Sequence, residues 1–204
     1  MYQEAFKKLE LDEIATILDK LNPDIEGSVF DPVETTILAQ DISFYPGYRL
    51  LDIADHAAMP PLQRYALYST SDFFILNFSN EPIYALNQRL PITLNKENVS
   101  DYVRFFFTYV RGRHGRFIIC ENVDDIAWKE DPPPSARKAI GQMLVPVTLK
   151  ETDHEGSFIL EATMVFKDSL FKSQVKIGPT GLVSLSDEEL LVEDMPVLDD
   201  VFGQ

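Results

Sequence analysis

The chain has 204 residues, 45% of them hydrophobic, with 14 Phe, one Trp and one Cys, and its 33 acidic against 18 basic side chains give a formal net charge of −15. The length is ample for a sizeable core, the apolar content excludes general disorder, and Cys120 alone excludes a disulfide framework. The negative charge argues against nucleic acid as a partner, because a phosphate backbone would repel it.

Residues 1–21 read as helix, since Tyr2, Phe6, Leu9, Ile14, Ile17, Leu18 and Leu21 recur at three- and four-residue steps. A break near Leu11 is allowed, with Asp12 capping a second short helix. Glu4, Glu10, Asp12 and Glu13 interrupt any signal-peptide core. Asn22-Pro23 ends the segment. Residues 23–47, with three prolines and two glycines, are expected as an ordered loop with one helical turn around residues 34–38.

The pattern then turns to β. Leu50, Leu51 and Ile53 predict one strand, and residues 62–68 and 72–78 predict a pair joined by Ser69-Thr70-Ser71. The second of these is apolar throughout, which suits a strand covered on both faces. Residues 79–81 read as a turn and 82–86 as a further strand.

Asn95 precedes Val99, Tyr102, Val103, Phe106 and Val110 at helical spacing, so a helix is expected over 96–111. Asn95 suits its N-terminus, and Gly112 or Gly115 would supply a left-handed cap at its other end; residues 102–110 are aromatic and β-branched enough for a strand, and the capping at both ends decides for helix. Phe105, Phe107 and Tyr109 leave it little polar face, so burial on most sides is expected. Residues 116–121 predict a strand, 124–128 a short helical turn, and 129–135 an exposed extended loop around three prolines. Residues 142–150, 157–166 and 170–177 predict a meander, and 182–185 a short returning strand. No internal repeat is visible, and no apolar run approaches the roughly 18 residues a membrane span needs. A cytoplasmic, soluble protein with a free thiol is expected.

The charge is uneven: −8 over residues 1–60, +2 over 61–150 and −9 over 151–204. No base follows Lys176. Residues 186–204 alternate acidic and apolar side chains, a composition found in segments that fold onto a partner or strap onto their own domain.

Three features carry candidate chemistry. Arg104, Arg111, Arg113 and Arg116, with His114, gather four guanidiniums within thirteen residues. Such a cluster could fork onto a small anionic ligand, a partner protein or the chain's own acidic strap, or simply neutralise a helix C-terminus. Asp52, Asp55 and His56 could share a site as metal ligands or as a base and its orienter, or face water at a strand end. Trp128, beside Lys129 and the prolines, would mark a contact site if exposed. No histidine has a second His or Cys at ligand spacing, so no metal or cofactor is implied. Cys120 sits in an apolar strand and reads as packing; no nucleophile elbow or phosphate loop occurs.

The expected fold is a single α+β domain over 1–204, predominantly antiparallel sheet against one buried central helix. It comprises an N-terminal helical arm and loop (1–47), a core (48–185) and an acidic strap (186–204). The function that follows is a non-enzymatic protein-binding or adaptor module, with a protein partner or self-association and no nucleic acid or membrane. The alternative is a small-molecule binding protein or enzyme, with a pocket between the curved sheet and the central helix. Metal-dependent hydrolysis at Asp52, Asp55 and His56 is a third reading.

Overall fold

The computed structural model describes residues 6–27, 29–112 and 114–198. The chain is α+β, with two antiparallel sheets. Its described residues divide into two compact units, one within residues 6–77 and the other within 78–198.

The first unit contains β1 (Lys7–Lys8), α1 (Leu11–Leu21), β2 (Thr35–Asp41), β3 (Arg49–Asp55), β4 (Leu62–Tyr68) and β5 (Phe73–Leu76). The strands form one sheet in sequence order. α1 buries Ile14, Ile17, Leu18 and Leu21. These pack with Ile37, Ala39, Leu51, Ile53 and Ala66, which alternate along β2, β3 and β4 and so share one sheet face. Arg49 Nη2 meets Glu13 Oε1 at 2.7 Å, fixing β3 to the start of α1.

Three expectations for this unit are corrected. Residues 7 and 8 are strand, not helix: Lys7 pairs with Ala39 and Lys8 with Leu38, and Leu9 N–H donates to Ile37 O at 3.0 Å. The helix starts only at Leu11, and its N-cap residue is Glu10 rather than Asp12. Tyr2 and residues 3–5 lie outside the described residues. The helical turn expected at 34–38 is β2, whose Thr35, Ile37 and Ala39 are buried at a period of two. With β2 unseen, the pairing that captures residues 7–9 could not be seen either. β5 closes the sheet as an edge strand, and Phe73, Phe74 and Ile75 are only half-buried rather than covered on both faces.

The second unit opens with α2 (Glu81–Arg89) and α3 (Val99–Tyr109). α2 replaces the strand expected at 82–86. Pro82 lies in its first turn, where no intrahelical N–H is needed, and Ile83 and Leu86 bury one face. α3 is the helix expected after Asn95, and its Tyr102, Val103, Phe105, Phe106, Phe107 and Tyr109 are all buried. Asn95 Oδ1 accepts from the N–H groups of Glu97 and Asn98, at 2.8 and 3.0 Å, one turn ahead of the helix. No left-handed glycine ends α3: the chain leaves at Val110 in extended conformation. Gly112 and Gly115 instead form a tight turn, exchanging backbone hydrogen bonds at 2.9 and 3.2 Å.

The sheet of this unit contains β6 (Phe117–Ile119), β7 (Thr148–Thr152), β8 (Phe158–Phe166), β9 (Ser169–Ile177) and β10 (Val183–Val192). Their order is β10-β9-β8-β6, with β7 also paired to β8. Leu160, Ala162 and Met164 alternate along β8 and oppose Val175, Ser173 and Phe171 of β9, giving a largely apolar inner face. α3 sets Phe107 edge-on to Phe117 of β6, with centroids 6.4 Å apart. Between β6 and β7 lie a 3₁₀ turn (Val123–Asp125) and α4 (Pro134–Gly141). α4 takes up the end of the stretch expected as extended loop, again with proline in its first turn.

The strand expected at 182–185 continues to Val192, so the acidic segment begins as part of β10. Beyond it Met195 and Val197 are buried with Cys120, Ile126, Ile140, Leu144, Val165 and Leu170. Asp199, Asp200, Val201 and Phe202 lie outside the described residues.

Candidate functional site

The arginine cluster does not assemble around one centre. Arg104 projects from α3 to Glu121, just after β6, in a two-pronged ion pair: Nε to Oε2 at 2.9 Å and Nη2 to Oε1 at 2.7 Å. Its Nη1 reaches Asp101 Oδ1 at 2.9 Å. Glu121 Oε1 also accepts from Val147 N–H at 2.9 Å, just before β7. The Glu121 hydrogen bonds raise the Arg104 pKa against the lowering effect of burial. Burial acts to raise the Glu121 carboxyl, but the hydrogen bonds from Arg104 and Val147 and the guanidinium charge outweigh it and hold the group below its usual range.

The other guanidiniums turn elsewhere. Arg111 stacks over the Phe78 ring at 4.2 Å, and its backbone N–H donates to Phe78 O. Arg116 Nη2 donates to Thr108 O near the end of α3, at 3.3 Å. His114 is exposed at the tip of the Gly112–Gly115 turn, and Arg113 lies outside the described residues. The described part of the acidic strap pairs with β9 and with the segment around Trp128.

Asp52, Asp55 and His56 do not converge either. Asp52 and Asp55 are three apart on a regular strand and therefore point to opposite sheet faces. Asp52 Oδ1 accepts from Gln63 Nε2 at 2.9 Å. Asp55 is buried, and its Oδ1 accepts from the N–H groups of Ala57 and Ala58 at 2.9 and 3.1 Å. This is a turn-capping aspartate at the start of the 56–61 loop. His56 is exposed in that loop. Among the described residues no three His, Cys, Asp or Glu side chains gather to hold a metal ion.

Trp128 is half-buried rather than an exposed contact site. Its Nε1 donates to Val123 O at 3.2 Å, and its backbone bridges to Val197. Lys129 N–H donates to Pro196 O and Leu198 N–H to Ala127 O, at 2.8 and 2.7 Å. Trp128 also packs against the apolar cluster that includes Met195 and Val197 of the strap. Cys120 is fully buried, and burial, then the nearby Asp125 charge, pushes its thiol up to about 12, which leaves it without nucleophilic thiolate at neutral pH.

The aromatic face of α3 is filled by rings in mutual contact. Phe105 and Tyr109 lie 5.2 Å apart, Phe106 and Phe107 5.5 Å, and Tyr84 of α2 and Phe106 5.9 Å. Tyr102 Oη donates to Gly181 O at 2.6 Å, tying α3 to the turn before β10. Gly181 has φ +78°, and a Cβ there would lie 2.5 Å from Asn87 Nδ2, so the turn requires glycine.

Sequence reasoning missed an exposed sheet edge in this unit, the outer edge of β10. β10 pairs with β9 on one side and ends the sheet on the other. Residues 186–190 are exposed, including Asp187, Glu188 and Glu189, and Leu190 is 44% exposed. The signal for it was the run of acidic residues, but two register shifts, at residues 186–189 and 190–192, hide the period of two.

Among the described residues no helix is long and apolar enough to cross a membrane. Comparison with family models, with curated proteins and with solved structures finds no match.

Proposed function

We propose that the chain is a non-enzymatic protein-binding module. The single observation that supports this reading is the outer edge of β10, which no described strand pairs and which is exposed over residues 186–190. An edge strand carries a row of backbone donors and acceptors that another chain can pair with. The side chains that composition marked for chemistry point the same way by being occupied. Arg104 is held by Glu121 and Asp101, Asp55 by its own loop and Trp128 by the strap. A cytoplasmic setting accompanies the proposal, since a single buried thiol needs no oxidising compartment.

The test is selection of a displayed random-peptide library on the full chain, beside a bait of known peptide affinity. Enriched sequences that bind the chain in solution support the module. Enrichment on the control bait alone overturns it.

A further inference from the structure

We infer that the partner is an extended, lysine- or arginine-rich segment that adds as a strand along the outer edge of β10. This rests on the protein-binding reading and gives it a partner chemistry.

The argument begins with backbone direction. Gly178 N–H donates to Leu182 O at 2.9 Å, so these two residues face each other across the β9–β10 hairpin. Antiparallel pairs alternate from there. Ser184 and Ser186, opposite Lys176 and Gln174, turn their backbone groups toward β9, and Val183 and Leu185 turn theirs outward. The Val183 N–H is taken by Tyr84 Oη of α2 at 3.2 Å. The open edge therefore begins at Leu185, whose outward groups meet no described neighbour, and runs toward Val192.

The acidic side chains then decide what can lie there. Asp187, with φ +48°, occupies the bulge between Ser186 and Glu189, and Glu188 and Glu189 follow on the exposed run. Consider a second copy pairing antiparallel about the middle of β10. It would set Asp187 against Glu188 of the other chain, and Ser186 against Glu189. Like charges placed opposite each other on paired strands repel. Glu193 and Asp194 extend the same sign, and Lys172, across from Glu189 on β9, is drawn to Glu161 at 3.1 Å. A basic strand reverses every one of these pairings. It gains the outward backbone bonds of Leu185 together with lysine or arginine beside the acidic 187–189 run.

The experiment uses labelled synthetic peptides of about ten residues, a usual strand length or slightly longer. One alternates valine and lysine, one alternates valine and glutamate, and one is the lysine peptide N-methylated on every backbone amide. Fluorescence anisotropy against the full chain should show the lysine peptide binding at least about tenfold more tightly than the glutamate peptide, and losing affinity as salt is raised. Hydrogen exchange should slow at residues 185–190. N-methylation should abolish binding, because it removes the strand's donors. Glu188 and Glu193 are exposed, so E188K should narrow the preference for the lysine peptide and E188K/E193K should narrow it further.

Equal binding of the N-methylated peptide, or protection away from β10, overturns strand addition. If the lysine peptide fails while library-selected peptides of other composition bind elsewhere, this inference falls and the module stands. If nothing binds, both fall.

Discussion

Replacing Glu121 tests how the second unit is held together. Its carboxylate accepts two hydrogen bonds from Arg104 and one from Val147 N–H, joining α3, the end of β6 and the lead into β7. The Arg104 and Glu121 side chains are 21% and 19% exposed, between a surface pair and a fully buried one. Surface pairs contribute up to about 1 kcal/mol, and breaking a buried pair costs about 3–5 kcal/mol. Glu121→Ala should therefore cost about 2–3 kcal/mol, moderated because Arg104 keeps Asp101. Glu121→Gln retains an acceptor for Val147 and should cost about 1–2 kcal/mol. With a urea dependence of about 1–3 kcal/mol per molar, the alanine variant should lower the midpoint by about 1–2 M.

Trp128, the chain's one tryptophan, lies in the same unit and reports its unfolding by fluorescence. The pH dependence has a definite sign. Because folding lowers the Glu121 pKa, its contribution is fully present above the unfolded carboxyl value of about 4.3 and is lost as pH falls through the lower folded value. The gap between wild type and Glu121→Gln should close over that acid range and stay constant above it. A Glu121→Ala midpoint within 0.2 M of wild type, roughly 0.4 kcal/mol or less, would refute the reasoning.

Two further outcomes concern the strap and the thiol. Truncation after Val192 removes buried Met195 and Val197, each contributing about 1.5–3 kcal/mol, and should destabilise the unit and shift Trp128 emission to the red; unchanged emission would show that the strap does not rest on the indole. Cys120 should resist a thiol reagent at neutral pH until denaturant is added, given its burial and a pKa near about 12. Rapid labelling of the folded chain would contradict that environment.

Legibility in the sequence followed the length and regularity of each pattern. β4 emerges at the bounds the sequence predicts, 62–68, because clear turn signals bracket it; β8 and β9 sit within one residue of theirs. The helix after Asn95 was legible from the capping signals rather than from its aromatic content, which suits a strand equally; the Asn95 signal is real, but the glycine cap is not, because the chain leaves at an extended Val110 that carries no compositional mark. α2 and α4 were hidden by proline, which in both sits in the first turn, where it is tolerated. β2 was hidden inside a loop-like stretch, and β10 by its bulges. The candidate site was less legible still. Arg104 and Arg116 are near in sequence, yet their hydrogen bonds run to Glu121 and to the Thr108 carbonyl. Seventeen residues separate Arg104 from Glu121, and only β6 running back beside α3 brings them together. Asp52 and Asp55 look adjacent in the sequence, but strand alternation parts them.

The C-terminal path also sets how this unit would yield under load. A pull applied at Leu198 first meets the Leu198–Ala127 and Lys129–Pro196 bonds and the apolar seat of Val197 and Met195. Once those give, β10 can peel from β9 from its Val192 end, one rung at a time, with the register shifts near 191 and 187–188 as early weak rungs. Peeling stops at the 178–181 turn, where Tyr102 grips Gly181 from within the core. The strap is thus a latch, and the hairpin behind it a zip with a fixed stop.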